Sequence, residues 1–96
     1  MNYTNSVRFE WDPSKAATNQ RKHGVGFDEA ATVFADPLAL YLQDRSHPER
    51  AVLVGASSQQ RVIVTVFVEY TGDVVRIISA RRATTHERRT YENGDV

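Results

Sequence analysis

The stretch Arg61-Val-Ile-Val-Thr-Val-Phe-Val-Glu-Tyr-Thr-Gly-Asp-Val-Val-Arg-Ile-Ile-Ser-Ala-Arg-Arg82 decides the architecture of this chain. Two runs rich in Val and Ile flank a short polar break at Tyr70 to Asp73. β-Branched side chains pack well on a pleated surface, so both runs read as strands. The break is too short for anything but a turn, so the strands form an antiparallel hairpin. With Thr71-Gly72 as a two-residue turn, Glu69 faces Val74, Phe67 faces Arg76, Val62 faces Arg81 and Arg61 faces Arg82. That register puts Val62, Val64, Val66 and Val68 with Val75, Ile77 and Ser79 on one face, the expected core. Arg61, Glu69, Arg76 and Arg82 share the other face with Ile63, Phe67 and Ile78. A slip of one residue exchanges the faces of one strand.

Two further strands precede the hairpin, Leu38 to Asp44 and Ala51 to Ser57, joined by short polar connections that favour antiparallel neighbours. Val7-Arg-Phe-Glu-Trp11 alternates with period two and reads as a short strand. Asp12-Pro13 then opens a helix, with Asp as N-cap and Pro at the first helical position. It ends at Gly24, suited to a left-handed cap. A second helix begins near Gly26, with Phe27, Ala30, Ala31 and Phe34 on one face. Asp28 and Glu29 suit its first turn, and Asp36-Pro37 ends it. After the hairpin, Thr84 and Glu87 have the spacing of a capping box for a last helix. Tyr91 is that helix's only sizeable apolar side chain, so weak docking is expected. The fold class is α+β: two N-terminal helices packed on a four- to five-stranded, mainly antiparallel sheet, with a short C-terminal helix.

Ninety-six residues are read as one domain, 1–96. Twelve Lys and Arg balance twelve Asp and Glu, so any contact with nucleic acid must use a patch rather than the bulk field. The patch is visible. From Arg61 to Tyr91 six arginines meet only Glu69, Asp73 and Glu87. Arginine is charged at any cellular pH, and its planar fork of donors matches phosphate oxygens, so RNA is the expected anion. No cysteine is present, which excludes disulfides and thiolate metal sites. The start lacks the apolar segment of a signal peptide, and Val62 to Val68 is too short to span a bilayer, so no membrane role and a cytoplasmic location are expected.

The ordered motifs Phe9-Glu-Trp-Asp-Pro-Ser-Lys15, Asn19, Lys22-His-Gly24, Phe34-Ala-Asp-Pro37, Asp44-Arg-Ser-His47, Glu49-Arg50, Arg61 and Arg76-Ile-Ile-Ser-Ala-Arg81 resemble the BrnT family of bacterial type II toxins. Ala83-Thr84, Glu87-Arg88 and Tyr91-Glu92 continue the likeness, which runs from about residue 7 to 92. Gly26 departs from the pattern, where a Ser or Thr cap is favoured. The resemblance implies a RelE-like fold and a ribonuclease that arrests translation. It also implies an adjacent BrnA-like antitoxin with a ribbon-helix-helix domain, a heterotetramer of two copies of each, and contact with operator DNA only through the antitoxin. The alternative is a non-catalytic binding module that acts with its antitoxin as a transcriptional co-repressor.

RNA can be cut without metal when its 2′-hydroxyl attacks the adjacent phosphate. The step needs a base, an acid and cations. His47, Glu49, Glu69 and Tyr91 are the candidates for proton transfer, Arg61 and Arg81 for transition-state charge, and Trp11 for stacking on a base. Arg61 begins a strand and Arg81 ends its neighbour, so the two are expected to converge. Lys22, Arg50, Arg76 and Arg82 are the candidates for holding RNA. Each has a plainer alternative: His47-Pro48 as a turn, Glu49 with Arg50 as a surface pair, Glu69 as partner of a nearby Arg, Trp11 as core. His23, His47 and His86 lack metal-ligand spacing, so neither metal nor cofactor is expected.

Overall fold

The computed structural model describes residues 7–70 and 73–94. The elements are β1 (Arg8–Glu10), α1 (Pro13–His23), α2 (Phe27–Thr32) with a 3-10 turn (Val33–Ala35), β2 (Leu40–Gln43), β3 (Ala51–Ala56), β4 (Val62–Glu69), β5 (Val74–Arg82) and α3 (Thr85–Asn93). The strands form one sheet in the order β1-β5-β4-β3-β2. β2 to β5 are antiparallel neighbours, while β1 lies parallel to β5 at the edge.

The helix ends follow local chemistry. Asp12 accepts hydrogen bonds from the N–H groups of Ser14 and Lys15, and Gly24 closes α1 in the left-handed conformation. Gly26 starts α2 with no side-chain cap. Thr84 and Glu87 complete a reciprocal capping box on α3.

The register of β4 on β5 differs from the sequence expectation. Glu69 faces Val75, Val68 faces Arg76 and Phe67 faces Ile77. A bulge then leaves Ile78 as the extra residue, after which Val66 faces Ser79, Val64 faces Arg81 and Ile63 faces Arg82. The expected turn at Thr71-Gly72 lies outside the described residues. The consequence is the face exchange that a one-residue slip produces. Ile63, Thr65 and Phe67, not Val62, Val64 and Val66, point with Val75, Ile77 and Ala80 toward the N-terminal helices.

Against that face pack Val25, Phe27, Ala30, Val33 and Phe34, with Phe9 and Trp11 at the margin. The aromatic rings meet edge to face: Phe34 with Phe67 at 4.9 Å between centroids, Phe9 with Phe34 at 5.0 Å, Trp11 with Phe27 at 6.0 Å. Trp11 therefore serves the core. The Thr65 hydroxyl is buried there without a hydrogen-bond partner among the described residues.

Asn19 fixes α1 to the sheet. β1 pairs with β5 only from Val74 to Arg76. Higher up, the Asn19 carboxamide takes the place of a strand: it donates to the Ala80 carbonyl at 2.8 Å and accepts from the Ala80 N–H at 3.2 Å. It also donates to the Val25 carbonyl, so the helix end and the strand edge are satisfied by one side chain.

The second face of the sheet carries Leu40, Leu42, Val52, Val54, Val64, Val66, Ser79 and Arg81. Among the described residues only α3 lies over it, and no α3 residue is buried. The helix is held by polar contacts at its two ends, Glu87 to Arg81 and Tyr91 to Asp36.

Candidate active-site groove

The open sheet face and α3 together enclose a groove of about 410 Å³. Its floor is aliphatic: Leu40, Leu42, Val52, Val54, Val64 and Val66. Its polar groups gather at one end, where Ser79 and Arg81 of β5 meet His86, Glu87 and Thr90 of α3. Arg81 is there because its partner Val64 faces the groove, so the bulged register decides its side of the sheet.

Arg81 and Glu87 form a two-pronged pair, with Nη1 to Oε1 at 2.8 Å and Nη2 to Oε2 at 2.9 Å. The paired guanidinium lowers the Glu87 carboxyl to about 2, against burial, and the Thr84 N–H adds to the shift. The same contact raises the Arg81 pKa. A carboxylate presents two oxygens much as a phosphodiester does, so Glu87 occupies the fork that a phosphate would use.

Arg61 lies elsewhere. It precedes Val62, which faces the groove, and its own side chain turns to the helix-covered side. There Nε donates to Glu29 Oε2 at 2.9 Å, while Nη2 contacts Glu29 Oε1 and donates to the Gly24 carbonyl at 3.2 Å. Glu29 is only 4% exposed and also accepts from the Ser57 hydroxyl at 2.6 Å. The Arg61 hydrogen bonds, against burial, hold its carboxyl below the ordinary value. The expected convergence of Arg61 with Arg81 is therefore corrected: the sheet stands between them. Arg82 faces the same side as Arg61 and adds positive charge near Glu29.

Tyr91 reaches past the groove to Asp36, donating its hydroxyl to Oδ2 at 2.6 Å. Burial first, and then the Asp36 charge, push the phenol up to about 12, so it keeps its proton at neutral pH. Burial would raise the Asp36 carboxyl. Hydrogen bonds from Tyr91 and from the N–H groups of Ala56 and Leu38 outweigh it and bring it below the ordinary value.

His47 and Glu49 belong to the loop between β2 and β3, with His47 Nδ1 to Glu49 Oε2 at 3.8 Å and Arg50 Nε to the same oxygen at 3.6 Å. That loop leaves the sheet beside Phe67, three residues along β4 from the Arg81 position. This is about 10 Å along the strand and two strands sideways, so this cluster and Arg81 do not meet. Arg76 is at the loop's end of β5, paired with Glu10 at 3.3 Å. Glu69 accepts from the Tyr41 hydroxyl at 3.1 Å, not from an arginine. Lys22 sits on exposed α1 beside the free edge of β5. Of the sequence candidates, only Arg81 lines the groove. His86, which lines it too, had no signal beyond its place two residues after the Thr84 cap.

Among the described residues, no group of three or more His, Asp or Glu side chains gathers where it could hold a metal ion, and no helix is long and apolar enough to cross a membrane.

Residues 11–87 match the family described as ribonuclease toxin, BrnT, of type II toxin–antitoxin systems. The chain belongs to the BrnT toxin family. The crystal structure of the Brucella abortus ribonuclease toxin BrnT superposes with a TM-score of 0.68 at 22% identity, covering 83% of this chain and all of that one. At that identity the likeness speaks for the fold, an α+β arrangement shared with that toxin. No curated protein gives a significant match. Family membership assigns this chain a toxin role of ribonuclease type and implies an antitoxin partner.

Proposed function

We propose that this BrnT-family chain is a RelE-like, metal-independent endoribonuclease of the bacterial cytoplasm that cuts RNA and thereby arrests translation. The observation that carries the reading is the Arg81 fork at the polar end of the groove, filled by a carboxylate in the manner of a phosphate. When RNA displaces Glu87, Arg81 meets the scissile phosphate and offsets the charge that grows on its oxygens. His86, which lines the same end of the groove, is the candidate for proton transfer. A base takes the 2′-hydroxyl proton, O2′ attacks phosphorus, and the 5′-oxygen leaves with a proton from an acid. The product end is a 2′,3′-cyclic phosphate. Tyr91 keeps its hydroxyl on Asp36, past the groove, and in this reading anchors α3 over the sheet. Arg76, Arg82 and Arg50 serve RNA contact, and His47 and Glu49 serve contact with RNA or partner rather than the cleavage step. Arg61 acts by holding the fold.

The neutralising partner is a BrnA-like antitoxin whose ribbon-helix-helix domain binds operator DNA and dimerises the assembly into two copies of each chain. The aliphatic floor supports this part, since side chains of that kind bury well against an apolar protein segment. That floor also favours the second reading, a non-catalytic module that only holds the antitoxin for repression.

The test uses toxin released from the co-expressed complex. Cleavage that persists in EDTA and leaves 2′,3′-cyclic ends is expected; loss in EDTA with rescue by magnesium overturns the mechanism. Growth arrest on induction separates toxin from scaffold. Light scattering on the complex checks the stoichiometry.

A further inference from the structure

Ser79 lines two cavities. One is the groove that contains Arg81; the other, of about 290 Å³, runs between α1 and the outer edge of β5. The second is lined by Ser14, Lys15, Thr18, Asn19, Lys22, His23 and Ile78 as well as Ser79. It exists because β1 stops opposite Arg76, leaving the edge of β5 without a strand neighbour above that point. Asn19 closes the edge at Ala80, so its carboxamide is already spent.

The charge of this second groove is one-sided. From Pro13 to His23, α1 carries Lys15, Arg21, Lys22 and His23 and no Asp or Glu. Arg21 bonds the Thr18 hydroxyl. Lys15 and Lys22, both exposed, form no ion pair among the described residues, whereas Arg61, Arg76 and Arg81 are each paired with a carboxylate. Two free ammonium groups seven residues apart, two turns along one helix face, make a cationic track beside the strand edge. Lysine binds phosphate as a point charge without demanding base identity.

We propose that this second groove binds the continuation of the RNA strand beyond the cut, with Lys15 and Lys22 on successive backbone phosphates and Ser79 at the crossing between the two grooves. The proposal rests on the reading that Arg81 holds the scissile phosphate. The ligand class is single-stranded polyribonucleotide, gripped through its backbone. The site therefore favours length rather than sequence.

The experiment titrates 2′-O-methyl oligoribonucleotides, which cannot attack their own phosphate. A short one of about 4 nucleotides reaches only one groove, and a long one of about 12 nucleotides reaches both. The wild-type protein is expected to gain affinity on lengthening. In Lys15→Gln/Lys22→Gln that gain is expected to fall by about tenfold at low salt. The slope of log affinity against log salt for the long oligonucleotide should become shallower by about 1.4, two phosphate contacts at roughly 0.7 each. A double variant that keeps the full gain and the full slope overturns the proposal while leaving the reading of Arg81 standing. A wild-type protein that binds neither oligonucleotide overturns both this proposal and the reading beneath it.

Discussion

Glu29 and Arg61 tie the second helix to the start of the central strand. The guanidinium meets both carboxylate oxygens of a side chain that is almost wholly buried, and the Ser57 hydroxyl completes the set. A buried carboxylate is tolerated only when paired and hydrogen-bonded. Removing one partner strands the other, so this pair governs folding more than chemistry.

Arg61→Ala is therefore expected to destabilise the protein by about 3–5 kcal/mol, the usual cost of leaving a buried charge alone. Urea unfolding of the variant checks this. A midpoint equal to wild type would show that the pair contributes nothing.

Arg81→Ala should behave in the opposite way. Its pair with Glu87 is half-exposed, so unfolding should shift by no more than about 1 kcal/mol. RNA cleavage should fall by a factor of roughly 30 to 1000, which corresponds to about 2–4 kcal/mol of lost transition-state stabilisation. Lys at this position should restore activity in part, because an ammonium lacks the two-pronged fork. Single-turnover cleavage beside thermal melts reads both quantities.

The histidines separate groove from loop. His86→Gln is expected to slow single-turnover cleavage by roughly 100-fold or more. His47→Gln, on the far loop, should leave the cleavage rate unchanged. The reverse result would move the site to the loop between β2 and β3.

Acid should loosen the protein through three carboxylates, Glu29, Asp36 and Glu87. Glu87 and Glu29 both have folded-state pKa values below the ordinary 4.5, Glu87 at about 2. A depressed folded value means the stabilisation is fully present above about pH 4.5 and is lost as pH falls toward 2. Melts across this window should drop steadily in the wild type, and Glu87→Gln should flatten part of that decline. An equal decline in both would remove Glu87 as a cause.

Thr65→Val should stabilise. The hydroxyl is buried with no partner among the described residues, and Val has the same shape without the polar atom, so a gain of about 1 kcal/mol is expected. Chemical unfolding measures it, and a loss would mean the hydroxyl has found a partner in solution.

Local chemistry made most of the elements legible. Asp12-Pro13, Gly24, Asp36-Pro37 and the Thr84–Glu87 box each act within a turn or two of chain, so sequence alone placed the helix ends and the strand order along the chain. The strand from Val62 to Glu69 was recognised but its faces were not. It is apolar on both sides, so alternation carried no information about which side met the helices. That choice came from long-range packing, where Phe67 meets Phe34, and from the bulge at Ile78. The arginine cluster could be read as a patch because charge is a property of composition. Its division could not, since Glu29 lies thirty-two residues before Arg61 in the chain. Only the folded sheet sends Arg61 to a buried carboxylate on one side and Arg81 to an open groove on the other.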